Sequence, residues 1–99
     1  MSFSIESSIR DGELTLVVSG RLSSAAYESF VQAVRPPHQR VDSVVIDVTR
    51  VESIDSSGLG MLLITREAAG ANHATIRGCS SELRRVLEIV NFGQLFELE

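Results

Sequence analysis

The run Val44-Val45-Ile46-Asp47-Val48 constrains the fold of this chain more than any other segment. It is short, β-branched and almost unbroken in its apolar character, so it reads as a strand. A strand of this kind is buried on both faces, as in a parallel sheet with helices nearby. Only Asp47 interrupts it. Downstream, a helix is predicted from Ser57 to about Ala69, with Gly70 as its C-terminal cap. Ala74-Thr75-Ile76-Arg77 then forms another short strand. A strand–helix–strand step implies a parallel, right-handed crossover.

The remaining segments extend this pattern. Phe3-Ser4-Ile5-Glu6 alternates apolar and polar residues, and Leu14-Thr15-Leu16-Val17-Val18 resumes the strand pattern after Asp11-Gly12, a strong hairpin signal. Gly20 is expected to break that second strand. Ser23 and Ser24 are good helix caps, followed by an apolar stripe of Tyr27, Phe30, Val31 and Val34 that stops at Pro36-Pro37. Thr49 to Asp55 is expected to be a loop. Ser80 or Ser81 caps a third helix whose stripe is Leu83, Val86, Leu87 and Val90, ended by Asn91 and Gly93. Leu95 to Leu98 forms a last short strand or an extended tail. The expectation is a single α/β domain over residues 1–99, a mixed four- to five-stranded sheet with amphipathic helices packed on it.

Composition narrows the function. Apolar residues make up 43% of the 99 positions, enough for a real core and too many for disorder. The net charge is −4 and every basic residue is an arginine, scattered from Arg10 to Arg85. Nucleic-acid binding depends on clustered basic charge, which this pattern lacks. The single cysteine, Cys79, rules out an internal disulfide and fits a reducing compartment. Cys79 sits beside a predicted helix start, which can lower a thiol pKa, but a small residue buried at a strand end is the simpler reading. Met1 to Glu6 does not read as a secretory signal, and the apolar run Leu59–Ile64 is too short for membrane insertion. The expected location is cytoplasmic.

Chemistry concentrates in Ile54-Asp55-Ser56-Ser57-Gly58-Leu59-Gly60-Met61-Leu62-Leu63, where an acid and two hydroxyls precede a glycine-spaced apolar run. The serines fall at or beside a helix start, where backbone N–H groups lack partners and negative charge is favoured. A nucleophilic elbow would need Gly-x-Ser-x-Gly, but position 54 is isoleucine, and His38 and His73 fall in predicted loops. Gly58-Leu59-Gly60 lacks the third glycine of a dinucleotide fingerprint, and a chain without lysine has no Walker motif. Asp47 and Asp55 are acids of the kind that bind hard cations, but the sequence has neither Cys/His ligand spacing nor a calcium-type loop. Catalytic residues, cofactors and metals are therefore not expected. The serines are either helix caps or a regulatory site.

The segment Val44-Val45-Ile46-Asp47-Val48-Thr49, then Val51, then Ile54-Asp55-Ser56-Ser57-Gly58-Leu59-Gly60, resembles the STAS domain, in particular bacterial anti-sigma factor antagonists. Gly20-Arg21-Leu22 resembles the family's glycine-led turn after the second strand. The resemblance implies a non-enzymatic partner-switching protein in transcription regulation. A serine kinase of the histidine-kinase-like ATPase class, often itself an anti-sigma factor, binds the unphosphorylated domain. It phosphorylates the serine after the aspartate, here Ser56, and a metal-dependent serine phosphatase resets it. The implied partner surface comprises Ser23, Asp55, Ser57, Gly58, Leu59 and Gly60. Many relatives carry an acid where this chain has Ser23. The rival expectations are a constitutive STAS adaptor of a lipid-transport or sensory assembly, with the serines as caps, and a small serine hydrolase using Ser56.

Overall fold

The computed structural model describes residues 3–34, 41–68 and 73–99. The expected helix stop at Pro36-Pro37, the loop at His38 and the cap at Gly70 fall outside the described residues. The strands are β1 (Phe3–Arg10), β2 (Glu13–Leu22), β3 (Ser43–Ile54), β4 (His73–Arg77) and β5 (Glu97–Leu98). The helices are α1 (Tyr27–Val34), α2 (Ser56–Ala68) and α3 (Ser81–Ile89). The five strands lie in sequence order in one sheet. β1 and β2 are antiparallel, and every later neighbour is parallel. This is the mixed α/β sheet expected from the pattern, with all five strands present.

The hairpin forms where Asp-Gly placed it. Asp11 and Gly12 both have positive φ, 52° and 80°, the twist that suits a two-residue connection between right-twisted strands. Leu14, Leu16, Val18 and Leu22 of β2 project to one face, with Val44 and Ile46 of β3 and Ala74 and Ile76 of β4. Phe30, Met61, Leu62 and Leu87 cover that face from the three helices. Burial of a side chain such as Phe30 contributes roughly 1.5–3 kcal/mol. The opposite face carries Glu6, Ser8, Thr15, Ser19, Asp47 and Arg77, none of them in the core cluster. Val45 and Thr75, paired across β3 and β4, are nevertheless buried there, so the Val44–Val48 strand is buried on both sides.

Several boundaries differ from expectation, each for a local reason. Gly20 does not end β2; it sits buried inside it at φ +91°, between two register shifts against β3. Glycine tolerates that backbone, and the strand bends rather than stops. The segment Thr49–Ile54 is strand, not loop, paired with Ser19–Leu22. The irregularity breaks the two-residue alternation there, leaving Val51 and Ile54 half-buried among exposed polar residues.

Before α1 comes a 3-10 turn, Ser24–Ala26, in which the Ser23 carbonyl, not its side chain, accepts the Ala26 N–H at 2.9 Å. The tighter turn shifts the helical phase. Ala26 is buried, whereas Tyr27, expected in the stripe, is 48% exposed. His73 is the first residue of β4 rather than a loop residue, and its Nε2 lies 3.1 Å from Glu97 Oε1 on β5's side. Ser80 caps α3 by accepting the Leu83 N–H at 3.1 Å. Asn91, at φ 65°, redirects the chain after α3. Gly93 lies within the following 3-10 turn, Phe92–Gln94, and so does not itself end α3. Phe92 and Phe96 then stack at 5.6 Å and enter the core.

Asp47 is the polar exception in the central strand. Its Oδ1 accepts the Thr49 hydroxyl at 2.6 Å and the Thr49 N–H at 3.0 Å. These bonds, then the charges of Arg77 and Arg50, hold its carboxyl below the ordinary 3.8 despite an opposing contribution from burial. A depressed folded-state pKa contributes stability above the unfolded value, and that stability is lost as pH falls through the folded pKa. The urea midpoint of the protein is therefore expected to fall as pH drops below about 4. Asp47→Asn keeps an acceptor for Thr49 without the titration. It should show a flatter acid limb, and parallel limbs would remove Asp47 as the source.

Candidate functional site

β2, β3 and β4 run parallel, so their C-terminal ends lie at one end of the sheet. Open α/β sheets place binding sites at this end, because the loops into the helices converge there. Leu22 pairs with Ile54 as the last matched residues of β2 and β3. Ser23 and Asp55, one residue further on, therefore leave the sheet side by side. The Asp55 N–H donates to the Leu22 carbonyl at 3.3 Å, tying the start of α2 to the end of β2.

Asp55 caps α2. Its Oδ1 accepts the Gly58 N–H at 2.9 Å, and its carbonyl accepts the Leu59 N–H at 3.0 Å. A carboxylate at this position satisfies an unpaired backbone donor and complements the positive helix end. Ser56 and Ser57 are thus the first two residues of α2, and the helix begins one residue earlier than expected. Neither serine is the cap, so the cap role expected for them falls to Asp55. Both are exposed, as is Asp55. An anion on Ser56 would lie beside the first N–H groups of α2, the favourable end of the helix.

The two glycines of the motif divide sharply. Gly58 is buried, and a Cβ there would collide with the Leu22 carbonyl oxygen and come within 2.6 Å of Ile54 Cγ1. It lets the first turn of α2 pack against the ends of β2 and β3, so this residue of the expected partner surface lies buried rather than exposed. Gly60 faces open space, with nothing within 4 Å of a built Cβ. Leu59 is half-buried against the core, and Ser23 is half-buried at the rim. Ser23, Asp55, Ser56, Ser57 and Gly60 therefore form the accessible part of the group, with Gly58 and Leu59 beneath it.

The neighbouring turn belongs to the same end. Gly78 has φ +83°, and a Cβ there would overlap the Thr49 hydroxyl, so the Asp47–Thr49 bonds are packed against the turn between β4 and α3. Cys79 follows it, half-buried, and burial pushes its thiol above the ordinary value, with Arg84 offsetting part of the shift. That direction fits the packing role and not an activated thiolate. His73 pairs with Ser43, so the length of β3 separates it from Ser56 and no Ser56–His73 dyad forms. Among the described residues, no group of three or more His, Cys, Asp or Glu side chains could hold a metal, and no helix is long and apolar enough to cross a membrane.

The family model for "Mlab, STAS domain" matches residues 5–97. The chain belongs to the STAS domain family. It is 39% identical over 88 residues to a STAS-domain containing protein of Pseudomonas aeruginosa, covering 87% of each chain. Among solved structures it is similar to an anti-sigma factor antagonist from Mycobacterium paratuberculosis, with a TM-score of 0.70 and 26% identity over 98% of this chain and 85% of that one. The anti-sigma factor antagonist SpoIIAA in its unphosphorylated form has the same fold, with a TM-score of 0.68 at 18% identity, covering 99% of this chain and 88% of that one. The fold is thus that of the anti-sigma factor antagonists: one small α/β domain with a five-stranded mixed sheet and three helices.

Proposed function

We propose that this chain is a non-enzymatic, phosphorylation-controlled partner-switching regulator with Ser56 as its phosphoacceptor. Unphosphorylated, it binds a serine kinase or anti-sigma factor of the histidine-kinase-like ATPase class through Ser23, Asp55, Ser57 and Gly60, supported from below by Gly58 and Leu59. Phosphorylation of Ser56 releases it, and a metal-dependent serine phosphatase restores the bound form. Nucleotide is held by the kinase, so this chain needs no cofactor.

The observation that carries this reading is the capping of α2 by Asp55, which leaves the Ser56 hydroxyl exposed and unneeded for the fold. A kinase reaches such a hydroxyl without unfolding anything. The added phosphate carries about −1.5 to −2 charge at neutral pH, beside the charge of Asp55. An interface built on this surface would have to desolvate both. Similarity to the mycobacterial anti-sigma factor antagonist supports the same class of partner.

The test is incubation with ATP and histidine-kinase-like serine kinases from the same genome, followed by intact-mass measurement. Addition of one phosphoryl group, lost in Ser56→Ala and retained in Ser57→Ala, is the expected result. Absence of the mass shift with every such kinase, or a shift that persists in Ser56→Ala, would overturn the assignment in favour of a constitutive adaptor or another acceptor.

A further inference from the structure

The strand extension that the sequence concealed creates a feature next to Ser56. Between Val51–Ile54 of β3 and the start of α3 lies an open groove of about 220 Å³. Val51, Ile54, Leu83 and Val86 supply its apolar surface, and Glu52 and Glu82 stand among its lining residues without a basic partner there. A cavity of about 150 Å³ is enough to hold a benzene ring, so this groove accepts one large apolar side chain. Apolar surface continues along α3, where Val86 is 40%, Ile89 72% and Val90 41% exposed. Val86 and Val90 are stripe positions expected to face the core, yet of that helix only Leu87 is fully buried. Exposed apolar residues grouped beside a polar rim are the mark of an interaction surface.

The charges select the occupant. Glu52 and Glu82 are both exposed and neither makes a salt bridge among the described residues. An acidic partner would bring like charges together, whereas a basic one gains two complementary pairs. We propose that the groove holds an apolar anchor side chain on a basic helical segment of the partner, whose Lys or Arg residues pair with Glu52 and Glu82. The inference rests on the partner-binding reading of this sheet end, since Ile54 directly precedes Asp55 and Ser56. The groove then provides affinity, and Ser56 controls it from the adjoining turn.

The probe is a short amphipathic peptide of leucine and lysine with leucines at helical spacing, titrated into the ¹⁵N-labelled protein. A leucine/glutamate peptide of the same pattern is the control. Backbone NMR shifts are expected at 51–54 and 80–86 with the lysine peptide only. Val86→Asn, at an already exposed position, should weaken binding about tenfold or more by placing a neutral polar group in the anchor pocket without changing its charge. The Glu52→Lys/Glu82→Lys protein should reverse the preference between the peptides. Equal response to both peptides, shifts confined to another surface, or binding unaffected by Val86→Asn would overturn the proposal. So would concentration-dependent shifts along α3 without peptide, which would assign the groove to a second copy of this chain. Ser56 phosphorylation without peptide binding would remove the groove alone, and peptide binding without phosphorylation would remove the switch alone.

Discussion

Phosphorylation of Ser56 is expected to lower affinity for the kinase partner about a hundredfold, equivalent to ~2.7 kcal/mol, while leaving the fold intact. Ser56→Asp adds only one charge and should cost about tenfold. Ser56→Ala should bind as tightly as the unmodified protein and remain bound in the presence of ATP. The reasoning turns on one position having opposite effects on two quantities. At the first residue of α2 a negative charge meets the positive helix end, which contributes roughly 0.3–1 kcal/mol of stability. At the surface, the same charge joins exposed Asp55 and repels or must be desolvated by whatever docks. The thermal midpoint of Ser56→Asp should therefore be unchanged or slightly raised while its affinity falls. Calorimetric titration and thermal unfolding of the same samples measure both. Equal affinities for the Ala and Asp variants would show that charge at Ser56 is not the switch.

Gly58→Ala and Gly60→Ala should move stability in opposite directions, although the positions are one helical turn apart at most and look alike in sequence. At position 58 a methyl group has no room. The Leu22 carbonyl that blocks it is backbone, held by the Asp55 N–H, and its carbonyl carbon would lie 3.1 Å from the new atom. Relief requires α2 to shift away from β2, at a cost of about 1–3 kcal/mol or more. For a domain of this size that lowers the thermal midpoint by roughly 4–8 °C per kcal/mol. The displacement also moves Asp55 and Ser56, so partner binding should weaken with it. At position 60 the new methyl meets nothing, and helix propensity favours alanine by up to about 1 kcal/mol. Urea unfolding of both variants decides the matter. Loss of stability in Gly60→Ala, or none in Gly58→Ala, would mean that α2 does not pack on the end of β2 through Gly58 with Gly60 open.

Much of the architecture was legible because its signals are local. The Asp11-Gly12 hairpin, the β-branched run at Val44–Val48 and the periodicity of Phe30 and Leu87 each follow from the backbone or side-chain preferences of a few neighbouring residues. The errors occurred where a distant segment set the outcome. Thr49–Ile54 is a strand because Ser19–Leu22 pairs with it across an irregular register, and no alternation survives in its own residues. Tyr27 turned outward because a 3-10 turn preceded α1 and changed its phase. Val86 and Val90 carry the spacing of a core stripe, yet the helix offers only part of that stripe to the sheet.

The same division holds at the site. By itself, the sequence determined that an acid, two hydroxyls and two glycines would gather at the start of a helix following a central strand, and the STAS pattern singled out Ser56. The tertiary structure alone decided what each does. Asp55 caps the helix because α2 starts at Ser56, Gly58 is buried because β2 ends directly beneath it, and Gly60 is open because nothing packs opposite it. Spacing along a chain specifies which residues share a turn of helix. Only the packing of that turn against other strands specifies which of them water, or a partner, can reach.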